Sequence, residues 1–441
     1  MIIVMHYKLL RDYFIHFELS KSILFFSILN IHFVTAFASP DTLTLPNCQL
    51  LATTNNPRAL LSSNAVVGAD LARQEAKAQR LPQIKFRGAL EYSPTLGKFG
   101  YDPSLTNGGQ IGSQLVAEQV LYDGGQKILK SKQMDLEWHR TKQDQILNAL
   151  DLELDVSQSF TEVRRLQAEL SLKKESLLRL QEYLVLVERM HLGGQVGYTD
   201  VLKTRIHVSE SQSSVNQTEL DLQSARYTLL DLVGMNLQSE IWVQDSGNTK
   251  ETVPQFDSTQ NAEWQLAKLG KERAEFDLML LKNSWKPSLS VAADAGLLTS
   301  MDNLKVAQAD RNNVFGGSIG VHLDIPLFSF GLKEIQIQEK QLAIVNIKWQ
   351  WQSRQRNLWI EYQKVQMQWK ITRDHLDTLK LTLMVVKDNF RLTKSKYAGG
   401  TGSASEVIEA HSLWVETEAA LLGAEADLRN LSSKLKRLVA H

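Results

Sequence analysis

Apolar positions recur every 3.5 residues along two long stretches of this chain. In the first, Val156, Val163, Leu170, Leu177 and Leu184 form one row, and four residues before each stand Leu152, Ser159, Leu166, Lys173 and Leu180. In the second, Tyr362, Trp369, Leu376, Leu383 and Phe390 form one row and Leu358, Val365, Thr372, Leu379 and Val386 the other. That spacing predicts coiled-coil packing of long helices rather than a globular core. Between Gln126 and Met190 there is neither proline nor glycine, and good helix formers dominate. At 1.5 Å per residue, some 65 residues reach roughly 100 Å.

The two stretches are copies. Tyr122-Asp123-Gly124-Gly125 answers to Phe328-Ser329-Phe330-Gly331, an offset of 206, and Gly193-Gly194-Gln195 answers to Gly399-Gly400-Thr401. One inserted residue would turn everything after it by about 100° around a helix, so equal lengths mark a rigid rod used twice. The glycine clusters predict tight turns into returning helices, from about Thr199 to Val233 and from about Ser403 to Val439. Shorter helices are expected at Pro57 to Arg80 and Ala262 to Asn283.

Strand signals lie between the short and long helices of each copy. Ile84, Phe86, Leu90 and Tyr92 alternate with Lys85, Arg87 and Glu91; Ile319, Val321, Leu323, Ile325 and Leu327 alternate with Ser318, Gly320, His322 and Asp324. Such alternation gives one apolar and one polar face. Each copy supplies a hairpin of strands roughly ten residues long, joined by polar loops at 97–109 and 297–316. Strands of that length cross a bilayer when tilted.

Composition narrows the picture. The 49 basic and 49 acidic residues balance, so nothing calls for a nucleic-acid partner. Cys48 is the single cysteine, without a lipoprotein cleavage pattern before it, and reads as an incidental free thiol. Lys8, Arg11 and Lys21, a short apolar stretch and Ala36-Phe37-Ala38 predict a secretory signal over 1–38. The remaining organisation is an N-terminal segment with a short helix at 39–81, a first β-hairpin at 82–122 and a first long helix pair at 123–235. An equatorial linker with a short helix follows at 236–286, then a second hairpin at 287–330 and a second helix pair at 331–441. An exported chain without a transmembrane helix can cross a membrane only as a β-barrel. Four strands do not close one. Three copies would give twelve strands, and two would give only eight, filled by side chains.

This order of marks resembles the TolC-like outer-membrane efflux and secretion family over nearly everything after the signal. The marks are the proline before each hairpin, the aromatic–glycine junctions at 121–125 and 326–331, and the turns followed by Thr199-Asp200-Val201-Leu202 and Glu406-Val407-Ile408-Glu409-Ala410. The resemblance implies a mixed α and β membrane protein: a homotrimer with a 12-stranded β-barrel and an α-helical periplasmic tunnel. It implies a passive conduit in the outer membrane of a Gram-negative bacterium, serving tripartite efflux or type I secretion. Its expected partners are outer-membrane lipid, a periplasmic adaptor and an inner-membrane pump of RND, ABC or MFS type. Carried over by residue, the periplasmic constriction involves Thr199, Asp200, Tyr397, Glu406 and Glu409. The tips facing the adaptor are Gly193, Gly194, Gln195, Gly399, Gly400 and Thr401. Glutamates stand at 406 and 409 where the family's best-known member has aspartates, and Gly402 stands where it has an arginine.

Two readings of those acids stand side by side. Glu406 and Glu409 share one face of a helix start, where carboxylates suit the macrodipole. Threefold symmetry would converge six of them, and like charges ~8 Å apart at an effective dielectric near 20 repel by about 2 kcal/mol, giving a ring that attracts cations. No catalytic residue, cofactor or metal site is expected: His191, His207, His322, His375 and His411 lack ligand spacing. His322 reads as facing the lumen, and Trp349, Trp351, Trp359 and Trp369 as packed in the core or between helices. The alternatives are a periplasmic adaptor, which carries one helical hairpin rather than two, and a coiled-coil structural protein, which needs no strand blocks.

Overall fold

The computed structural model describes residues 41–93, 108–245, 254–257, 261–301 and 314–440. The signal at 1–38, most of both hairpin loops and parts of the linker around Pro254 lie outside these. A small unit contains the described residues Asp41–Thr42 and Glu240–Trp242. All of them but Glu240 belong to two short strands, β1 (Asp41–Leu43) and β4 (Ile241–Val243), which pair as a two-stranded sheet.

The large unit, Leu43–Ser239 and Val243–His441, holds the remaining elements. Its helices are α1 (Leu45–Asn55), α2 (Pro57–Ala78), α3 (Gln126–Leu192), α4 (Tyr198–Val233), α5 (Ala262–Asn283), α6 (Leu332–Ala398) and α7 (Ala404–Val439). The duplication is reproduced to the residue: α3 and α6 have 67 residues each, α4 and α7 have 36, and α2 and α5 have 22. The heptad rows face inward. Leu152, Val156, Val163, Leu166, Leu177 and Leu180 are buried on α3; Lys173, the polar member of its row, bonds Thr218 Oγ1 at 2.8 Å and Glu169 at 2.8 Å. On α6, Leu358, Tyr362, Val365, Trp369 and Leu376 pack against Ala424, Leu428, Leu435 and Leu438 of α7. Trp369 Nε1 donates to Ser432 Oγ at 2.9 Å.

Two tryptophans correct the expectation of internal packing. Trp349 and Trp359 are 64% and 54% exposed, because the apolar rows determine which side of α6 meets α7 and these residues lie off it. Trp351 packs against Trp264 with the rings tilted, centroids 4.7 Å apart. A second correction concerns 39–81, which contains two helices rather than one. Helix α1 has Pro46 in its first turn and no apolar stripe; it is fixed by burying Cys48 and Ala52 as it packs on α2, α3 and α4. Burial pushes the Cys48 thiol up to about 11.

Two asparagines repeat the same device. Asn56 Oδ1 accepts from Arg58 N at 2.8 Å, capping α2, while its Nδ2 donates to Leu232 O at 2.8 Å near the end of α4. Asn261 caps α5 through Glu263 N at 2.8 Å and donates to Leu438 O of α7 at 2.7 Å. Each amide thus satisfies an orphan group at two helix ends. Nearby, Glu263 accepts from Arg354 Nε at 2.7 Å and Arg437 Nη1 at 2.8 Å, joining α5 to α6 and α7. Burial alone would raise Glu263, but the two arginines' hydrogen bonds outweigh it and hold the carboxyl below 4.5.

Strands β2 (Gln83–Ser93), β3 (Gly108–Tyr122), β5 (Ser288–Met301) and β6 (Val314–Asp324) form one antiparallel sheet in the order β2-β3-β5-β6. Phe86 pairs with Leu115, Leu115 with Ala295 and Ala295 with Gly317, so one face is apolar. Lys85, Val116, Asp294 and Ser318 run across the other, where Ser318 Oγ donates to Asp294. Ile84, Phe86, Leu90, Phe315, Ile319, Val321 and Leu323 are exposed, and β2 and β6 are edges with no strand beyond them among the described residues. No helix among the described residues is long and apolar enough to cross a membrane.

Candidate functional site at the helical turns

Both glycine turns close by one hydrogen-bond pattern. Gly193 N donates to Arg189 O at 3.0 Å, Gly194 N to His191 O at 2.9 Å and Gln195 N to Met190 O at 2.9 Å. In the second copy Gly399 N bonds Ser395 O, Gly400 N bonds Tyr397 O and Thr401 N bonds Lys396 O, all at 3.0 Å. The bond reaching five residues back requires a left-handed residue after the helix, supplied by Gly194 (φ +71°) and Gly400 (φ +78°). Gln195 and Thr401 are exposed.

Beyond the turns the copies diverge. Helix α4 starts at Gly197 with no side-chain cap, leaving Thr199 exposed and Asp200 half-buried. Helix α7 starts with a reciprocal cap: Glu406 N donates to Ser403 Oγ at 3.2 Å and Ser403 N to Glu406 Oε2 at 3.3 Å. Glu406 is therefore a working helix-start acid, and Glu409 is exposed one turn on, while Val407, Ile408 and Ala410 turn inward.

One cluster joins the copies. Tyr183, Val187 and Met190 of α3, Val201 of α4, Tyr397 of α6 and Ala404, Val407 and Ile408 of α7 pack together. Tyr397 is only 2% exposed and meets Tyr183 edge-on, centroids 5.4 Å apart. Burial pushes both phenols up, and the nearby Asp200 carboxylate adds to the rise. The fold therefore packs Tyr397 against Tyr183 and the first turn of α4 at Val201, and keeps Glu406 and Glu409 outside that cluster. A Cβ at Gly402 would stand 3.0 Å from Tyr397 N, so a side chain there requires the Tyr397 backbone to give by a few tenths of an ångström. Further links cross near the turns: Lys203 Nζ donates to Ser405 Oγ at 3.3 Å, and Arg205 pairs with Glu188 at 2.7 Å.

Sequence reasoning missed Tyr183, Lys203 and the Ser403 cap. The Ser403-x-x-Glu406 capping signature was available for Ser403, but Tyr183 sits in a plain heptad stretch with no local signal. Among the described residues no three His, Cys, Asp or Glu side chains are grouped to hold a metal. A cleft of about 390 Å³ along α1, α3 and α7 carries Arg164 and Arg429, which share one partner, Asp245, at 3.0 and 2.9 Å.

Paired long helices, duplicated and sharing one four-stranded sheet, make up this fold. Residues 246–441 match the family model "Outer membrane efflux protein". The fold is similar to CusC (TM-score 0.77, 16% identity, covering 93% of this chain and 96% of that one). It is also similar to the outer membrane protein VceC of Vibrio cholerae (0.75, 14%, 90% and 95%). A third is the open state of the Neisseria gonorrhoeae MtrE outer membrane channel (0.74, 14%, 90% and 89%). No curated protein matches the sequence. The resemblance to the TolC-like outer-membrane efflux family holds by family model and by fold.

Proposed function

We propose that the chain is the outer-membrane channel of a tripartite efflux or type I secretion system, acting as a passive homotrimeric conduit. The observation that carries this is the unfinished sheet. Its apolar face is exposed, and the outer edges of strands β2 and β6 have no partner among the described residues. In hydrocarbon each unsatisfied backbone group costs several kcal/mol, so an open edge is excluded and the edges must meet those of other copies. Three copies supply twelve strands, a barrel wide enough to conduct. The long helix pairs then form a periplasmic tunnel, and the signal at 1–38 directs export.

The constriction is assigned to Thr199, Asp200, Glu406 and Glu409, with Tyr397 behind them as the residue that ties the second hairpin to α3. Converging carboxylates would favour cations and bind divalent ions. The turns at Gly193–Gln195 and Gly399–Thr401 are the adaptor-facing ends. Chemistry is supplied by an inner-membrane pump, whose identity decides the cargo. An adaptor or a plain coiled coil accounts less well for four paired, apolar-faced strands.

The test uses the full-length protein in detergent and in planar bilayers. It is expected to run as a heat-modifiable trimer and to conduct. Replacing both acids by glutamine (Glu406→Gln with Glu409→Gln) keeps the capping geometry while removing charge, and should reduce cation selectivity and divalent block. A detergent-independent monomer refutes the conduit; unaltered selectivity refutes the acid ring.

A further inference from the structure

The two strand-to-helix junctions share a backbone but not a side chain. At the first, Gly124 (φ +68°) precedes Gly125 (φ +83°); at the second, Phe330 (φ +51°) precedes Gly331 (φ +82°). Phe330 is the only non-glycine residue with positive φ among the described residues. A bulky side chain rarely accepts that conformation, and such outliers persist where something else gains by them.

Their surroundings differ as sharply. Gly124 is buried, and a Cβ there would lie 2.7 Å from Lys286 Cβ and 2.8 Å from Asn283 O. The α5–β5 linker is thus a wall against the first junction. Phe330 has no such wall and is 90% exposed, beside Leu327 at 89% and Phe328 at 75%.

The repeat says which residues would form the missing wall. Helices α2 and α5 are equal in length and each is followed by a proline, Pro82 or Pro287, so Asn283 corresponds to Ala78 and Lys286 to Leu81. Within the chain α2 packs on α1 and α3, α3 on α5, and α5 on α6. The next helix in that series after α6 is an α2, which a second copy must supply. The side chains also exchange in size. Phenylalanine replaces glycine on one side, while Ala78 and an apolar, 63% exposed Leu81 replace asparagine and lysine on the other. Further along, the Glu137–Arg273 pair at 2.7 Å between α3 and α5 corresponds to Ala343 opposite Gly68, small residues suited to close helix approach.

We propose that Phe330, flanked by Leu327 and Phe328, is an inter-subunit plug seated against Ala78 and Leu81 of a second copy of this chain. The inference rests on the oligomeric conduit proposed above and names one contact that closes it. The strained backbone is retained because the ring it projects is buried on assembly.

The test places the photoreactive p-benzoylphenylalanine at position 330 of the full-length protein and irradiates it in the outer membrane. The expected adduct joins two copies and maps to the peptide containing Ala78 to Pro82. An oligomer whose adducts fall on lipid, or on any other peptide, overturns the plug and leaves the conduit standing; a chain that stays monomeric overturns both. A second variant reads the energetics. Phe330→Gly relieves the left-handed strain within one chain, yet should lower the dissociation temperature of the oligomer by about 5 °C or more. An unchanged or raised temperature overturns the proposal.

Discussion

His411 provides a pH dependence whose size follows from its surroundings. It lies on α7 one turn beyond the cluster that joins the copies, and is 3% exposed. Phe390 and Trp414 flank its ring at 5.4 and 6.4 Å, and Ser176 Oγ lies 3.4 Å from Nε2. Burial lowers its pKa from 6.5 to about 4, helped by Arg179, His207 and Lys394, all potential cations. The folded protein therefore holds the neutral ring, and stability is full above pH 6.5 and falls as pH drops toward 4. Over that interval the unfolded chain binds the extra proton, so the slope has the sign of acid destabilisation. The linkage relation gives a loss of about 2 kcal/mol between about pH 7 and about pH 5, approaching about 3 kcal/mol below pH 4. The assay is urea unfolding followed by helical circular dichroism at both pH values, on the native chain and on His411→Gln, which is neutral throughout. The native protein should lose about 2 kcal/mol more than the variant across the interval. Parallel losses would refute the reasoning, for they would mean that the ring is solvated or that other groups carry the response.

Two further outcomes are expected. Glu263→Gln leaves Arg354 and Arg437 facing an amide, and its side chain is only 12% exposed, so thermal unfolding should show a loss of about 3 kcal/mol. Because Glu263 titrates below its ordinary value, that stabilisation is present above pH 4.5 and disappears as pH falls through the folded pKa. Asn261→Ala removes a cap and the bond to Leu438 O, about 2 kcal/mol together; Asn56→Ala should match it to within about 1 kcal/mol if the two copies use the device equally.

The rods were legible because glycines bracket them and nothing interrupts them. Gly125 to Gly193 and Gly331 to Gly399 delimit helices that end at Leu192 and Ala398, as the turn chemistry requires. The short helix at Ala262–Asn283 was legible to the residue, and β2 and β5 start directly after Pro82 and Pro287, whereas β6 ends at Asp324, short of the Ile325 and Leu327 that the alternation included. Helix α1 was not, since its residues carry no periodic stripe and only tertiary contact holds them. Trp349 and Trp359 show a different gap: apolarity at a rod position announces burial but not by which chain. At the candidate site, Ser403 and Glu406 could be read from spacing alone. The meeting of Tyr397 with Tyr183 and Val201 could not, because it depends on two hairpins about two hundred residues apart closing on each other. Asn56 and Asn261 carried a readable sign, an asparagine directly before a helix, but their second bond, to the far helix end, is a product of the fold.

Equal rods leave a mark on inheritance. A wall built from uninterrupted helices tolerates many exchanges of one apolar residue for another, but almost no gain or loss of a residue. This chain accordingly matches, over about nine-tenths of its length, folds with which it shares only 14–16% of its residues. What such chains have in common is the path of the backbone more than the letters along it.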